Sequence, residues 1–151
     1  MANELLAKLN LLWKKVTRQE GAGGEMYHRM GGIEVIDKLV NDFYEIMSTD
    51  PLAEEVFATH RGLEIRASAE KLKFFLSGWT GGPQLYLKKY GHPRLRMRHF
   101  PFKIGPKEAD QWLYCMRKAL AKSPIAPGEQ EELLTAFGQL TQMLRNQDPA
   151  I

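Results

Sequence analysis

The side chains of this 151-residue chain that bring imidazole or thiol chemistry are four histidines, His28, His60, His92 and His99, and one cysteine, Cys115. No Gly-rich phosphate loop, paired-histidine zinc motif or Gly-x-Ser-x-Gly elbow accompanies them. Cys115 falls inside a helical pattern away from any histidine, which removes a thiol-protease reading. His99 has the most informative surroundings, with Arg94, Arg96 and Arg98 before it and Phe100, Pro101 and Phe102 after it. One imidazole between cations and apolar residues is the mixture a haem needs. The iron takes an axial imidazole, the ring an apolar slot, and the two propionates a basic rim. The plainer alternative is a surface histidine in a solvated basic loop.

The far side of such a disc would come from upstream helices. Phe43 and Tyr44 lie on one, Phe57 follows a short segment, and Leu72, Phe75 and Leu76 stripe another. A leucine and aromatic stripe at helical spacing is ordinarily core. Tyr44 and Trp112 stand out because each puts a polar tip on an otherwise apolar face. A buried phenol or indole looks for a hydrogen-bond partner, and a bound diatomic ligand would serve both.

The elements that must position these groups are helices. Residues 1–18 carry Leu5, Leu6, Leu9, Leu12, Trp13 and Val16 at helical spacing before the glycines at 21–24 break the pattern. After Gly31 and Gly32 a second helix carries Ile36, Leu39, Val40, Phe43 and Met47, and it stops ahead of Pro51. Residues 52–57 and a polar loop around His60 lead to a third helix with Ile65, Leu72, Phe75, Leu76 and Trp79, ended by Thr80, Gly81, Gly82 and Pro83. The stretch with Tyr86, Tyr90, Gly91, His92, Pro93 and Pro101 has room only for short helical turns. Pro106, Glu108 and Asp110 open a helix whose inner face is Ala109, Trp112, Leu113, Met116 and Leu120. The last helix carries Leu133, Phe137, Leu140 and Leu144. No alternating strand pattern of any length appears. The fold class is all-α.

Composition agrees: 44% apolar and 26% charged residues describe one ordinary globular domain. A single cysteine excludes an internal disulfide and a Cys-rich zinc site. The absence of a long apolar run argues against a membrane span, and residues 1–20 lack a signal-peptide block, so a cytoplasmic location is expected. Net charge is +3, yet residues 88–103 hold six cations (Lys88, Lys89, Arg94, Arg96, Arg98 and Lys103) and no acid, leaving the remainder net acidic. The basic charge is local and should answer to a local anion.

Taken together, these motifs resemble the group II truncated haemoglobins, the two-over-two helical globins. The matching text is Gly31-Gly32 opening a helix, Phe43-Tyr44, and Trp79-Thr80-Gly81-Gly82-Pro83. It continues with Tyr90-Gly91-His92-Pro93-Arg94-Leu95-Arg96-Met97-Arg98-His99-Phe100-Pro101-Phe102, then Trp112 within residues 109–116. The likeness runs from about Tyr27 to Leu144, in the family's order.

The resemblance implies a two-over-two globin domain over residues 25–151, with residues 1–24 as an added amphipathic helical extension. It implies haem b (iron protoporphyrin IX), with His99 as the proximal metal ligand. Tyr44 and Trp112 correspond to the distal hydrogen-bond donors, and Phe57 to the aromatic that wedges against the haem. Ser68 falls at the distal gate, Leu72 packs over the iron, and Phe75 and Leu76 continue that wall. Lys71, Tyr86 and Arg98 match positions facing the propionates, and Phe102 joins the residues that line the cofactor. The linker between Phe57 and Ser68 is longer than compact members need; His60 lies in it, either exposed to solvent or reaching the iron as a sixth ligand.

The implied use is binding of O2, NO or CO for redox, detoxification or sensing roles rather than bulk oxygen transport. Nitric oxide dioxygenase or peroxidase-like chemistry would need a separate reductase, because the chain has no flavin or nicotinamide motif. Residues 1–24 could pack on their own domain or form a homodimer. Two competing readings are a basic nucleic-acid-binding module and a haem-free protein-interaction module. Against the first, Pro93 and Pro101 prevent one continuous groove-reading helix, so no nucleic-acid partner is expected.

Overall fold

The computed structural model describes residues 25–147. The proposed amphipathic helix at residues 1–18 and the extension as a whole lie outside the described residues. The described elements are α1 (Glu25–Met30), α2 (Gly32–Thr49), a 3-10 turn (Pro51–Ala53), α3 (Glu54–Ala58), α4 (Ile65–Trp79), α5 (Leu85–Tyr90), α6 (Leu95–His99), α7 (Pro106–Ala121) and α8 (Pro127–Leu144). Among the described residues there is no strand, and no helix is long and apolar enough to cross a membrane.

Four long helices form two pairs, α2 with α4 and α7 with α8, and α2 also packs on α7. The apolar spacing accounts for this. Ile36, Leu39, Val40, Phe43 and Met47 of α2 are all buried, as are Met116 and Leu120 of α7 and Phe137 of α8. Each such side chain contributes roughly 1.5–3 kcal/mol on leaving water. Cys115 lies in this core, fully buried, and burial pushes its thiol up to about 11, which makes it inert.

The helix ends follow local chemistry. Gly31 takes φ 112°, and any side chain there would run into Val35 one turn on, so only glycine lets α1 turn into α2. At the other end of α2, the Asp50 carboxylate accepts from the Leu52 amide (3.0 Å), the Tyr114 hydroxyl (2.7 Å) and the Lys118 ammonium (3.0 Å). These bonds stabilise the charged form and hold the carboxyl near 2. They also tie the chain reversal at Pro51 to α7. α1 is a short helix that the apolar spacing did not announce. It is held by the Tyr27 amide donating to the Thr80 carbonyl (3.0 Å).

Between α4 and α7 the chain makes two short helices, α5 and α6. Lys89 and Tyr90 of α5 both bond the Glu70 carboxylate of α4, the tyrosine at 2.8 Å. This anchors the α5–α6 segment beneath α4.

Candidate functional site

His99 ends α6, a five-residue helix that cannot stand alone and is held from three sides. Arg98 donates from Nε to the Pro93 carbonyl (2.7 Å) and from Nη2 to those of Tyr90 (3.3 Å) and His92 (3.5 Å). Arg96 reaches the Met143 carbonyl of α8 at 3.2 Å. Asn146, just past α8, donates from Nδ2 to the carbonyls of His99 (3.3 Å) and Phe102 (2.8 Å) and accepts from the Ile104 amide (2.9 Å). Asn146 was not singled out in the sequence. An asparagine beyond a helix end has no pattern of its own, and its partners lie more than forty residues away.

The His99 imidazole is half-buried, with Nδ1 2.6 Å from the Leu95 carbonyl. A carbonyl can only accept, so Nδ1 carries the proton and Nε2 keeps its lone pair. Burial, and to a smaller degree the nearby His60, hold the ring below the usual histidine range, while the Leu95 bond acts against them. A neutral imidazole anchored through Nδ1 is the form that ligates iron.

The second group centres on Tyr44. Its side chain is buried, its ring meets Phe43 edge-on at 5.0 Å, and burial pushes its hydroxyl well above the ordinary phenol range, so it stays a donor. Trp112 lies 5.0 Å from Phe43 and 5.3 Å from Phe137, which stacks on Trp79 at 4.8 Å. Trp79 in turn stacks on Phe75 at 5.9 Å. A continuous run of aromatic rings thus joins α4, α8, α7 and α2. Among the described residues, no group hydrogen-bonds the Tyr44 hydroxyl or the Trp112 indole N–H. Two donors set in an apolar wall without protein acceptors are the donor set a polar ligand would satisfy.

The remaining sequence-stated residues take varied places. Phe75 is buried; Leu72 and Phe102 are half-buried. Phe57 is exposed and Ser68 half-buried, and neither makes a ring contact or hydrogen bond to Tyr44 or Trp112. Lys71 is exposed with its ammonium 5.5 Å from the Tyr90 ring, and Tyr86 is buried with the Arg98 guanidinium 5.6 Å from its ring. Arg98 therefore has a structural task in the α5–α6 turn beside any anion it faces. Of the six cations in residues 88–103, Lys89, Arg96 and Arg98 are engaged by the protein itself. His60 is half-buried rather than exposed, its ring 5.7 Å from Tyr44.

These residues fit a haem. They offer an anchored neutral imidazole, aromatic and aliphatic side chains, and two donors without protein partners among the described residues. The comparisons agree. The family model of the bacterial-like globins matches residues 25–146. The group 2 truncated haemoglobin YjbI of Bacillus subtilis is 40% identical over 109 residues, 72% of this chain and 77% of that one. The cold-adapted truncated haemoglobin of Pseudoalteromonas haloplanktis TAC125 superposes with TM-score 0.77 at 41% identity, covering 81% of this chain and 98% of that one. The group II 2-on-2 haemoglobin of Agrobacterium tumefaciens gives 0.78 at 35% identity, covering 82% and 95%. The family match over most of the chain, the identity to these relatives and the superposition of its two packed helix pairs on theirs place the chain in the bacterial-like globin family, among the group II truncated haemoglobins, for which haem binding is the family property.

Proposed function

We propose that the protein binds haem b through His99 and uses Tyr44 and Trp112 to hold a diatomic ligand such as O2, NO or CO. A bound haem would supply an iron able to take up such a molecule. Tyr44 Oη and Trp112 Nε1 are hydrogen-bond donors that would be available to it. Leu72, Phe75 and Phe102 keep water from the ring faces, and Lys71, Tyr86 and Arg98 serve the propionates. Phe57 wedges against the ring edge, and Ser68 stands at the distal entrance. The observation that carries this reading is the His99 Nδ1–Leu95 bond of 2.6 Å, which leaves Nε2 as the ligating atom.

Two donors on one ligand favour slow release, which suits redox chemistry, detoxification or sensing better than delivery. A dioxygenase or peroxidase-like use draws electrons from a separate reductase in the cytoplasm. The test is an absorption spectrum of protein purified with haem available, taken oxidised, reduced, and reduced with CO. A Soret band that shifts at both steps is expected, and His99→Ala should lose or loosen the haem. A chain that stays colourless after haem titration refutes the proposal.

A further inference from the structure

His60 repeats the arrangement of His99. Its Nδ1 lies 3.1 Å from the carbonyl of Val56, four residues earlier, as His99 Nδ1 lies 2.6 Å from that of Leu95, also four earlier. The second neighbour of His60 Nδ1 is the Thr59 hydroxyl at 3.2 Å, and that hydroxyl donates to the same Val56 carbonyl at 2.5 Å. A threonine hydroxyl has one proton, and here the carbonyl takes it. His60 Nδ1 must therefore be the protonated nitrogen, and Nε2 keeps its lone pair. Among the described residues no hydrogen bond is made to Nε2 of either histidine.

The placement is equally pointed. His60 is half-buried and packed edge-on to the Tyr44 ring at 79°. It is also near enough to His99 that a charge on it counts against protonating His99. Burial holds His60 itself below the usual histidine range, so it is neutral at ordinary pH. The end of α3 is closed by the Thr59 amide on the Val56 carbonyl (3.2 Å) and the His60 amide on the Phe57 carbonyl (2.9 Å), which sets the imidazole at the head of the linker. Two neutral imidazoles, each tautomerically fixed through Nδ1, thus lie within electrostatic reach of one another.

We propose that His60 is a second axial ligand: in the absence of an external ligand, its Nε2 bonds the haem iron opposite His99. This rests on the haem reading above. The step is a simple ligation. His60 Nε2 gives its lone pair, Nδ1 keeps its proton, and the iron's oxidation state does not change. An incoming diatomic molecule must wait for His60 to leave, and Tyr44 and Trp112 then act on the arriving ligand. If His60 occupies the iron nine-tenths of the time, apparent affinity for CO falls about tenfold relative to a chain without it.

The test uses the full chain loaded with haem. Optical spectra of the ferrous, ligand-free protein and electron paramagnetic resonance of the ferric protein at pH 7 should show low-spin, six-coordinate iron. His60→Ala and His60→Gln, checked for unchanged helicity and haem content, should become high-spin, and added imidazole should restore the low-spin spectrum in His60→Ala. In stopped flow, the CO-binding rate of the unaltered chain should level off as CO rises, while that of His60→Ala should climb linearly, with about tenfold tighter binding. A coloured protein whose ferrous iron is five-coordinate before mutation overturns this proposal and leaves the haem reading standing. A low-spin spectrum that persists in both His60 variants also overturns it. A chain that takes up no haem overturns both.

Discussion

Replacing Tyr44 by phenylalanine removes one oxygen from the site and nothing else that the structure shows in use. The ring keeps its edge contacts with Phe43 at 5.0 Å and His60 at 5.7 Å, and it stays in the buried face of α2. No described residue loses a hydrogen bond when the hydroxyl goes, so folding stability should change by no more than about 0.5 kcal/mol. The effect should fall on the ligand. A hydrogen bond to a group bearing charge is worth roughly 1.5–3 kcal/mol, which corresponds to about one to two decades in dissociation rate. The assay is displacement of O2 from the ferrous protein by excess CO, followed at the Soret band. Trp112→Phe removes the other donor while retaining a ring between Phe43 and Phe137. Each single variant should speed release about tenfold or more. Because both residues touch Phe43, the double variant should depart from simple additivity. An O2 off-rate unchanged in both single variants would refute the distal hydrogen-bond account.

Other predictions follow from positions outside the ligand pocket. Asn146→Ala strips two carbonyls and one amide of their partner, so thermal stability should drop by about 1–3 kcal/mol and haem should transfer faster to an apo-globin acceptor; unchanged transfer would remove Asn146 from the proximal scaffold. Asp50 has its carboxyl held near 2 by the Leu52 amide, Tyr114 and Lys118, below its unfolded value. Its contribution is therefore complete above the unfolded pKa of about 3.9 and fades as pH falls toward 2. Asp50→Asn should lower the melting temperature at pH 7 and flatten the acid limb, and parallel curves for the two proteins would contradict this. Gly31→Ala, with φ 112° and Val35 in the way, should destabilise by about 1–2 kcal/mol in urea unfolding. Gly128→Ala, which has open space and an ordinary φ, serves as the control.

Much of this molecule is written locally. The apolar positions of α2, α4, α7 and α8 recur at the period of a helix, and Pro51, Gly81, Gly82, Pro106 and Pro127 punctuate them, so the all-α class and the core follow from spacing alone. His99 could be singled out because cations precede it and apolar residues follow it within nine positions. Tyr44 and Trp112 could be singled out as polar tips on apolar faces.

What only the tertiary structure decided are relations between distant residues and the protonation they impose. Arg98 looked like a cation awaiting an anion, and three backbone carbonyls of its own turn engage it. Asn146 had no signal, because its meaning lies in three partners brought to it by the packing of α8 on the proximal segment. His60 stood between solvent and pocket until folding set it against Tyr44 and within electrostatic reach of His99. Helical periodicity reports which face of a segment avoids water. It carries no information about which carbonyl a ring nitrogen will find, and that choice determines which nitrogen is left to bind a metal.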